Sequence, residues 1–281
     1  MLSPASIRQP IVSGSFYPGK PDKLVRLIRS FFQQCTAPRI ENEIIGLIVP
    51  HAGYIYSGLT AAEAYYQLRQ RAYDIVVIFA PSHSEPITGI SVFDGAAFRT
   101  PLGDVPVDWR LARQLAQTDK RFQLTSAGHR EEHSLEVQLP FLQVVLGDFQ
   151  LLPIAINDLD WELIGKLATV LTRLLTPKKT LFVASSDLSH YHSDRQAREM
   201  DALILDLLEH FDTETLFLEI ENGTCEACGA APVLAVMQTM KRLAVNQVNI
   251  LRYMTSSDIN FDSTRVVGYV SATFAKEKSE T

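Results

Sequence analysis

Residues 44–54 read IIGLIVPHAGY, an apolar run followed directly by a proline, a histidine and a glycine. Such a run, bounded by turn residues, is typical of a strand that is buried on both faces of a sheet. The same arrangement recurs in IVVIFAPSHS at 75–84 and in TLFVASSDLSHYH at 180–192. Longer segments with helical periodicity lie between such runs. This alternation predicts an α/β fold with a largely parallel central sheet and helices on both faces.

The pattern of apolar residues also predicts where the individual elements lie. Strands are predicted near Ile44–Val49, Ile75–Ala80, Gly89–Phe93, Leu151–Ile156, Thr180–Ala184, Val248–Met254 and Val266–Phe274. Helices are predicted near Pro21–Gln34, Leu59–Gln70, Asp108–Gln117, Glu132–Leu146, Trp161–Leu175, Ser193–Glu209, Thr213–Glu221 and Ala230–Leu243.

The chain contains no long linker rich in proline, glycine or serine, and it has no internal repeat. We therefore expect one domain over residues 1–281, with a polar tail, AKEKSET at 275–281, that frays. The formal charge of −6 and the absence of long Lys/Arg runs argue against a nucleic-acid partner. The apolar runs are far shorter than the roughly 20 residues of a membrane span, and the start does not resemble a secretory signal, so we expect a cytoplasmic protein without a membrane partner.

Polar residues follow three of the predicted strands. His51 follows the first strand, His83 the second, and Asp187 and His190 the third. Because ligands of open α/β sheets bind beyond the carboxyl ends of the strands, these side chains are expected to share a pocket. One histidine at a strand end is more often a hydrogen-bonded loop residue, but three such ends favour a functional site.

Gly53 and Gly58 flank Tyr54 and Tyr56 after the first strand. The glycines could allow a ligand to approach the backbone, and the tyrosines could form a pocket wall. An ordinary turn from strand to helix with packed tyrosines explains the same residues, and the sequence does not separate the two interpretations.

A second motif is EEHSLEVQ at 131–138. On a helix, His133 and Glu136 would lie three residues apart on one face, and Glu132 and Glu136 would lie four apart. Such a face could supply a general acid or base, or could orient metal-ligating imidazoles. The acidic residues could equally complement the positive end of a helix dipole.

A third motif is CEACG at 225–229, which precedes an apolar helix. Cys228 would lie at the N-terminus of that helix, where the helix dipole favours a thiolate and therefore metal binding or redox reactivity. A buried, inert thiol is the alternative, and it suits Cys35 better. Three cysteines cannot form a closed disulfide framework.

These motifs suggest a metal site with two alternative ligand sets. The imidazoles of His51 and His83 with the thiolate of Cys228 would favour copper or zinc, whereas the carboxylate of Asp187 in the third place would favour non-haem iron. The chain lacks GxxxxGK[ST], GxGxxG and GxSxG, so nucleotide-binding and serine-hydrolase motifs are absent from it.

Several blocks of the sequence together resemble the Memo family, whose bacterial and archaeal members are called AmmeMemoRadiSam system protein B. The resemblance covers residues 10–274. The matching blocks, in chain order, are SGSFYPG (13–19), VPHAGYIYSG (49–58), APSHSEPITGISV (80–92), PLGDVPVD (101–108), EHSLEVQLPFL (132–142), SSDLSHYH (185–192) and ACGAAPV (227–233).

The resemblance implies a fold similar to that of class III extradiol-type dioxygenases. It also implies that His51, His83 and Cys228 are metal ligands and that Asp187 and His190 are pocket residues. Animal members are associated with copper-dependent redox activity, iron binding and binding of phosphotyrosine peptides. The family name implies a pathway link to an AMMECR1-like protein and a radical SAM protein.

We therefore expect a metal-dependent oxidoreductase that holds one iron or copper ion, with zinc as a further option. His190 would act as general acid or base, while Asp187, His133 and Glu136 would orient the metal ligands. The substrate would be a small molecule or a peptide in the pocket. The alternatives are a binding protein without turnover that uses the same pocket, and a zinc-assisted hydrolase.

Overall fold

The structure is a computed structural model that describes residues 6–276. Its strands are β1 (Ile7–Arg8), β2 (Glu43–Val49), β3 (Ile75–Ala80), β4 (Ile90–Val92), β5 (Ala97–Thr100), β6 (Gly103–Pro106), β7 (Phe122–Leu124), β8 (Gln150–Ile156), β9 (Thr180–Ser185), β10 (His190–His192), β11 (Gln247–Thr255) and β12 (Val266–Lys276). Its α-helices are α1 (Pro21–Gln34), α2 (Tyr54–Tyr66), α3 (Trp109–Ala116), α4 (Leu139–Leu146), α5 (Trp161–Leu174), α6 (Asp194–Glu209), α7 (Thr213–Glu221), α8 (Ala230–Arg242) and α9 (Ser257–Asn260).

Within residues 6–276 the strands form a small three-stranded sheet, β1-β5-β6, and a nine-stranded sheet. The order in the large sheet is β10-β12-β2-β9-β3-β8-β4-β7, and β11 pairs with β12. The central strands β2, β9, β3 and β8 run parallel, with Leu47 opposite Val183 and Phe79 opposite Ala184. Antiparallel pairs of β12 with β2 and of β4 with β8 flank this centre. The predicted α/β fold is confirmed, and its sheet is mixed outside the parallel centre.

Helices cover both faces of the large sheet. In β3, Val77 and Phe79 belong to a core cluster that also contains residues of α3, α5, α6, α7 and α8. The alternate residues Val76 and Ile78 belong to a second cluster with residues of α1, α2 and α4. Successive side chains of a strand point to opposite faces, so both faces of this strand are buried, as its apolar run predicts.

The helix predicted over 132–146 is wrong in its first part. Residues 132–133 are irregular, residues 134–135 form a turn, a 3-10 helix spans Glu136–Gln138, and α4 begins only at Leu139. Two local features explain the late start. The Glu132 carboxylate accepts the backbone N–H of Ser134 at 2.9 Å, which competes with helical bonding. Pro140 lies in the first turn of α4, where proline is tolerated because its missing N–H would have no helical partner.

The end of the described chain is more regular than predicted. Strand β12 continues to Lys276, so the first two residues of the predicted tail pair in the sheet, opposite Ile44 and Glu43 of β2. Residues 277–281 lie outside the described part of the chain. The short strands β1, β5, β6, β7 and β10 were not predicted from the sequence. Among residues 6–276, no helix combines the length and apolarity that crossing a membrane requires.

Candidate metal centre

Three neighbouring strands deliver the residues of the site. Strand β9 lies between β2 and β3, so His51, Asp187 and His83 all follow parallel strands that end at the same edge. Cys228 comes from the segment before α8. Its backbone N–H donates to the Asp187 carbonyl at 3.3 Å, and the backbone N–H of Asp187 lies 3.3 Å from its Sγ atom. The three strand ends therefore meet, as their pattern predicts, and the start of α8 lies against them.

Gly229 allows this close approach. A Cβ atom at this position would lie 2.3 Å from the carbonyl oxygen of Ser185 and 2.6 Å from the Cβ atom of Ser186. Any side chain would push α8 away from β9, and with it the neighbouring Cys228. The requirement for glycine comes from backbone packing, because the φ of −103° at Gly229 is open to other residues.

Two imidazoles and one thiol converge at this point. One ligand atom each of His51, His83 and Cys228 lies within 4.8 Å of the others. Sγ of Cys228 lies 3.0 Å from Nε2 of His51. The rings of His51 and His83 are nearly perpendicular, with centroids 5.1 Å apart. His51 is 2% exposed, whereas the His83 side chain is 37% exposed, so the group is accessible from the His83 side.

Glu132 orients His83. Its Oε1 atom lies 3.0 Å from Nδ1 of His83, and its other oxygen accepts the backbone N–H of His83 and, at 3.3 Å, that of Ser84. An ionised carboxylate can only accept, so Nδ1 of His83 carries the hydrogen. The lone pair of His83 is then on Nε2, where it is free to bind a metal ion.

The electrostatics of this pair follow from its hydrogen bonds. Burial alone would raise the pKa of Glu132, but the bonds from His83 and Ser134 outweigh it and hold that pKa far below its usual range. In return, the hydrogen bond to Glu132 raises the pKa of His83 above 6.5, against the effect of burial. The pKa of His51 is lowered well below 6.5 by its complete burial and by the neighbouring His133 and His83.

His133 also faces this group. Its ring is nearly parallel to that of His83, with centroids 5.0 Å apart, and lies edge-on to that of His51 at 5.6 Å. Its Nδ1 atom lies 3.3 Å from Oε1 of Glu132, so one carboxylate oxygen serves two imidazoles. Burial lowers the pKa of His133. His83, Glu132 and His133 form a second group of residue types that ligate metals, and it shares His83 with the first.

Glu136 contacts a different part of the molecule, which corrects the expectation that it shares a helix face with His133. It is completely buried, and its carboxylate pairs with the Arg8 guanidinium and accepts the hydroxyl of Tyr17 at 2.5 Å. The backbone N–H groups of Ile11 and Val12 also donate to it, at 2.9 and 3.1 Å. Glu136 therefore fixes the N-terminal segment beneath the turn that carries Glu132 and His133, and it contacts none of the three ligands.

Asp187 and His190 adjoin the group of ligands. Oδ1 of Asp187 accepts the backbone N–H of His51 at 2.7 Å, and burial raises the pKa of this carboxyl to about 7. The backbone N–H of His190 donates to Glu226 at 2.8 Å. Burial lowers the pKa of His190, and His190 in turn contributes to the lowered pKa of His51. Of the two alternative ligand sets, the geometry groups Cys228 with the imidazoles, while Asp187 bonds to the His51 backbone.

Tyr54 and Gly58 belong to the helix packing around α2. Tyr54 is 3% exposed and donates its hydroxyl to the Val137 carbonyl at 2.6 Å. A Cβ atom on Gly58 would lie 2.6 Å from the ring of Phe31 in α1. Tyr54 is therefore a packed tyrosine at the start of α2, and Gly58, inside α2, allows close packing against α1.

All three cysteines are free thiols. Cys225 is 1% exposed and packs in the core. Cys35 is half-buried, and its thiol donates to the Phe31 carbonyl at 3.4 Å. Cys228 is therefore the thiol that lies within reach of the two imidazoles.

The partners that hold these ligands were only partly predictable. The sequence placed Glu132 on a helix face that could orient metal-ligating imidazoles, without identifying His83 as its partner, and it indicated no role for Ser185 or Gln138. The Oγ atom of Ser185 lies 3.0 Å from Nδ1 of His51, and Gln138 donates to the same oxygen at 2.8 Å. The only available signal was position: Ser185 directly follows an apolar run, and Gln138 lies in the same block as Glu132.

The donor set fits a transition metal ion. Nε2 of His83 is left free by the bond from Nδ1, Nε2 of His51 faces the thiol, and Sγ of Cys228 can lose its proton to become a thiolate ligand. Imidazole and thiolate ligands suit copper, zinc and iron better than magnesium or calcium, which prefer oxygen.

Comparisons with known proteins bear on the fold and on the family of this chain. A solved structure of an uncharacterized protein from Escherichia coli K12, JW3007, matches with a TM-score of 0.50 at 14% identity, over 82% of this chain and 99% of that one, which bears on the fold alone. A MEMO1 family protein of Methanocaldococcus jannaschii is 37% identical over 95% of this chain and 98% of its own length. A MEMO1 family protein of Aeropyrum pernix is 36% identical over 94% of this chain and 98% of its own length. The family profile described as Memo-like protein matches residues 8–273. This chain belongs to the Memo-like protein family.

Proposed function

We propose that this protein is a metal-dependent oxidoreductase that binds one transition metal ion through His51, His83 and Cys228. The observation that carries the proposal is the convergence of two imidazoles and one thiol within 4.8 Å of one another at the edge of the sheet where ligands of this fold class bind. Three protein ligands leave a coordination position for a substrate or for oxygen. Iron or copper is the proposed metal, with zinc as the non-redox alternative.

When bound, the metal ion would supply one-electron redox chemistry and would polarise an oxygen atom of the substrate. The chain's own residues would bind and orient the reactants around it. Asp187 holds the backbone of His51, and Glu132 holds the ring of His83. Burial lowers the pKa of His190, which favours its neutral imidazole, and His190 would accept a proton from the substrate. His133, with its ring parallel to that of His83, would form one wall of the pocket.

The proposed substrate is a small molecule or a peptide that enters from the exposed side of His83. We also propose that it belongs to a pathway shared with an AMMECR1-like protein and a radical SAM protein, which the resemblance to the Memo family suggests. The structure of JW3007 supports the α/β architecture only, so the relation to extradiol-type dioxygenases is part of this proposal.

Oxygen consumption tests the redox function. Protein loaded with Fe²⁺ or Cu⁺ is incubated with a panel of catechols and small thiols, beside the metal-free protein and a His190→Gln variant. Metal-dependent turnover that falls in the variant would support the proposal. Metal binding without turnover on any substrate would favour a binding protein that uses the same pocket, and a hydrolytic product formed only with Zn²⁺ would favour a hydrolase.

A further inference from the structure

The hydroxyl of Ser185 is enclosed by three polar groups. Its oxygen lies 2.7 Å from the carbonyl oxygen of Ser134, 2.8 Å from Nε2 of Gln138 and 3.0 Å from Nδ1 of His51. Ser185 and Ser134 are completely buried, and Gln138 is 1% exposed. A hydroxyl has one hydrogen to donate. A carbonyl oxygen can only accept and an amide –NH₂ can only donate, so these two partners fix the direction of each hydrogen bond to Ser185.

The amide orientation of Gln138 follows from its other contacts. Its Nε2 atom lies 2.9 Å from the carbonyl oxygen of Pro50, which can only accept. Its Oε1 atom accepts the hydroxyl of Tyr65 at 2.8 Å. The –NH₂ group of Gln138 therefore faces Ser185 as a donor.

The direction of the remaining bonds is then fixed. The Ser134 carbonyl can only accept, so the Ser185 hydroxyl donates its hydrogen there. The oxygen of Ser185 must accept from both Gln138 and His51, and Nδ1 of His51 must carry the hydrogen. The lone pair of His51 is consequently on Nε2, the atom 3.0 Å from Sγ of Cys228.

We propose that Ser185, with Gln138, is a positioning residue that fixes His51 in the Nδ1–H tautomer, so that Nε2 is prepared for a metal ion before the ion arrives. The inference rests on the metal binding proposed above. The two ligating imidazoles then have different supports, because a charged carboxylate holds His83 and a neutral network of serine, glutamine and tyrosine holds His51. An unconstrained neutral imidazole favours the hydrogen on Nε2, so this network selects the less common tautomer.

The tautomer can be measured without metal. In long-range ¹H–¹⁵N spectra of the metal-free, ¹⁵N-labelled protein, the two ring nitrogens of a neutral histidine have well-separated shifts, and the signals of His51 are assigned by their loss in His51→Ala. We expect wild-type His51 in the Nδ1–H form. An Nε2–H form in the wild-type protein would overturn the inference, and this result needs no variant of Ser185 to fold.

Two variants and a control test the role of the network. In Ser185→Ala, we expect His51 to shift towards the Nε2–H form and the affinity for Zn²⁺, measured against a chromophoric chelator, to fall about 10–100-fold. In Gln138→Met the Ser134 carbonyl still accepts the Ser185 hydrogen, so both quantities should change in the same direction but less. Ser271→Ala is the matched control, because Ser271 is completely buried in β12 and its hydroxyl has no partner among the described residues. It should change neither quantity.

The readouts separate this inference from the proposed function. An unchanged Nδ1–H tautomer in Ser185→Ala would refute the positioning role even if the protein binds metal. A wild-type protein that has the expected tautomer but binds no Zn²⁺, Fe²⁺ or Cu⁺ would refute the metal site while leaving the hydrogen-bond assignment intact.

Discussion

Sγ of Cys228 lies 3.0 Å from Nε2 of His51, although 177 positions separate the two residues in the chain. The contact forms because α8 begins directly against the end of β9, with Gly229 at the closest point. Burial raises the pKa of the Cys228 thiol, and the neighbouring Asp187 adds to this effect. A metal ion that neutralises the thiolate would reverse that preference, so the contact is suited to metal binding.

The bond from His83 to Glu132 should control metal affinity. In Glu132→Gln, the amide –NH₂ replaces one acceptor oxygen and faces backbone N–H groups that need an acceptor. We expect the affinity for Zn²⁺ to fall about 10–100-fold in a chelator competition. The neighbouring Glu131 is exposed, so Glu131→Gln is the control. Equal affinities of the two variants would contradict the role of Glu132.

Gly229 should tolerate no side chain. A Cβ atom would lie 2.3 Å from the Ser185 carbonyl oxygen, so Gly229→Ala should lower the free energy of unfolding by about 1–3 kcal/mol and weaken Zn²⁺ binding. Gly53→Ala is the control, because Gly53 has a φ of −56° and its added Cβ would meet nothing closer than 3.8 Å. Urea unfolding and chelator competition measure the two effects. A wild-type result for Gly229→Ala would refute the packing argument.

Glu136 should stabilise the folded protein through its ion pair with Arg8. In Glu136→Gln the buried guanidinium of Arg8 loses its counter-charge, and breaking a buried pair in this way costs about 3–5 kcal/mol. Glu199→Gln removes one partner of the exposed pair with Arg195 and should change the free energy of unfolding by less than about 1 kcal/mol. Urea unfolding compares the variants. Similar losses of unfolding free energy in Glu136→Gln and Glu199→Gln would show that the buried pair of Arg8 and Glu136 stabilises the fold no more than an exposed pair does.

His129 should make stability depend on pH. Burial lowers its pKa from 6.5 to about 4 in the folded protein. Between these values the unfolded chain binds a proton at this position that the folded chain does not, so the His129 contribution to the free energy of unfolding should fall by up to about 3 kcal/mol as the pH drops from about 6.5 to about 4. His51, His133 and His190 contribute with the same sign, because their pKa values are also lowered. Asp187 and His83 contribute with the opposite sign, because their pKa values are raised.

The difference between the wild type and His129→Gln isolates this contribution: as the pH drops from about 6.5 to about 4, the wild type should lose up to about 3 kcal/mol more free energy of unfolding than the variant. His210 is exposed, and the hydrogen bond between its Nδ1 atom and the backbone carbonyl of Asp206 raises its pKa. It therefore contributes with the opposite sign, and His210→Gln should not reproduce the difference expected for His129→Gln. Urea unfolding at several pH values provides the measurement. A slope in His129→Gln equal to that of the wild type would contradict the buried, neutral state of His129.

The features that the sequence predicted depend on short-range patterns. The apolar runs that became β2, β3 and β9 are uninterrupted because helices cover both faces of the sheet. His51, His83 and Asp187 could be assigned to one edge because parallel strands bring their carboxyl ends together. The choice between Cys228 and Asp187 as third ligand could not be made, because it depends on how α8 packs against β9.

The features that were missed depend on distant partners. Glu136 turns away from His133 because Arg8, 128 positions earlier, pairs with its carboxylate. Glu132 leaves the helical register because the backbone of His83 and Ser84 supplies its donors. Ser185 holds His51 through a network that also needs Gln138 and Tyr65. No periodicity in the sequence encodes such contacts.

The metal content of the native protein tests the central claim most directly. The protein is purified without a chelating tag, and elemental analysis compares the wild type with a His51→Ala/His83→Ala double variant, with Cys228→Ser and with the exposed control His210→Ala. We predict one transition metal ion per chain in the wild type and the control, and a large loss in the other two. Equal metal content in the wild type and the double variant would contradict the account.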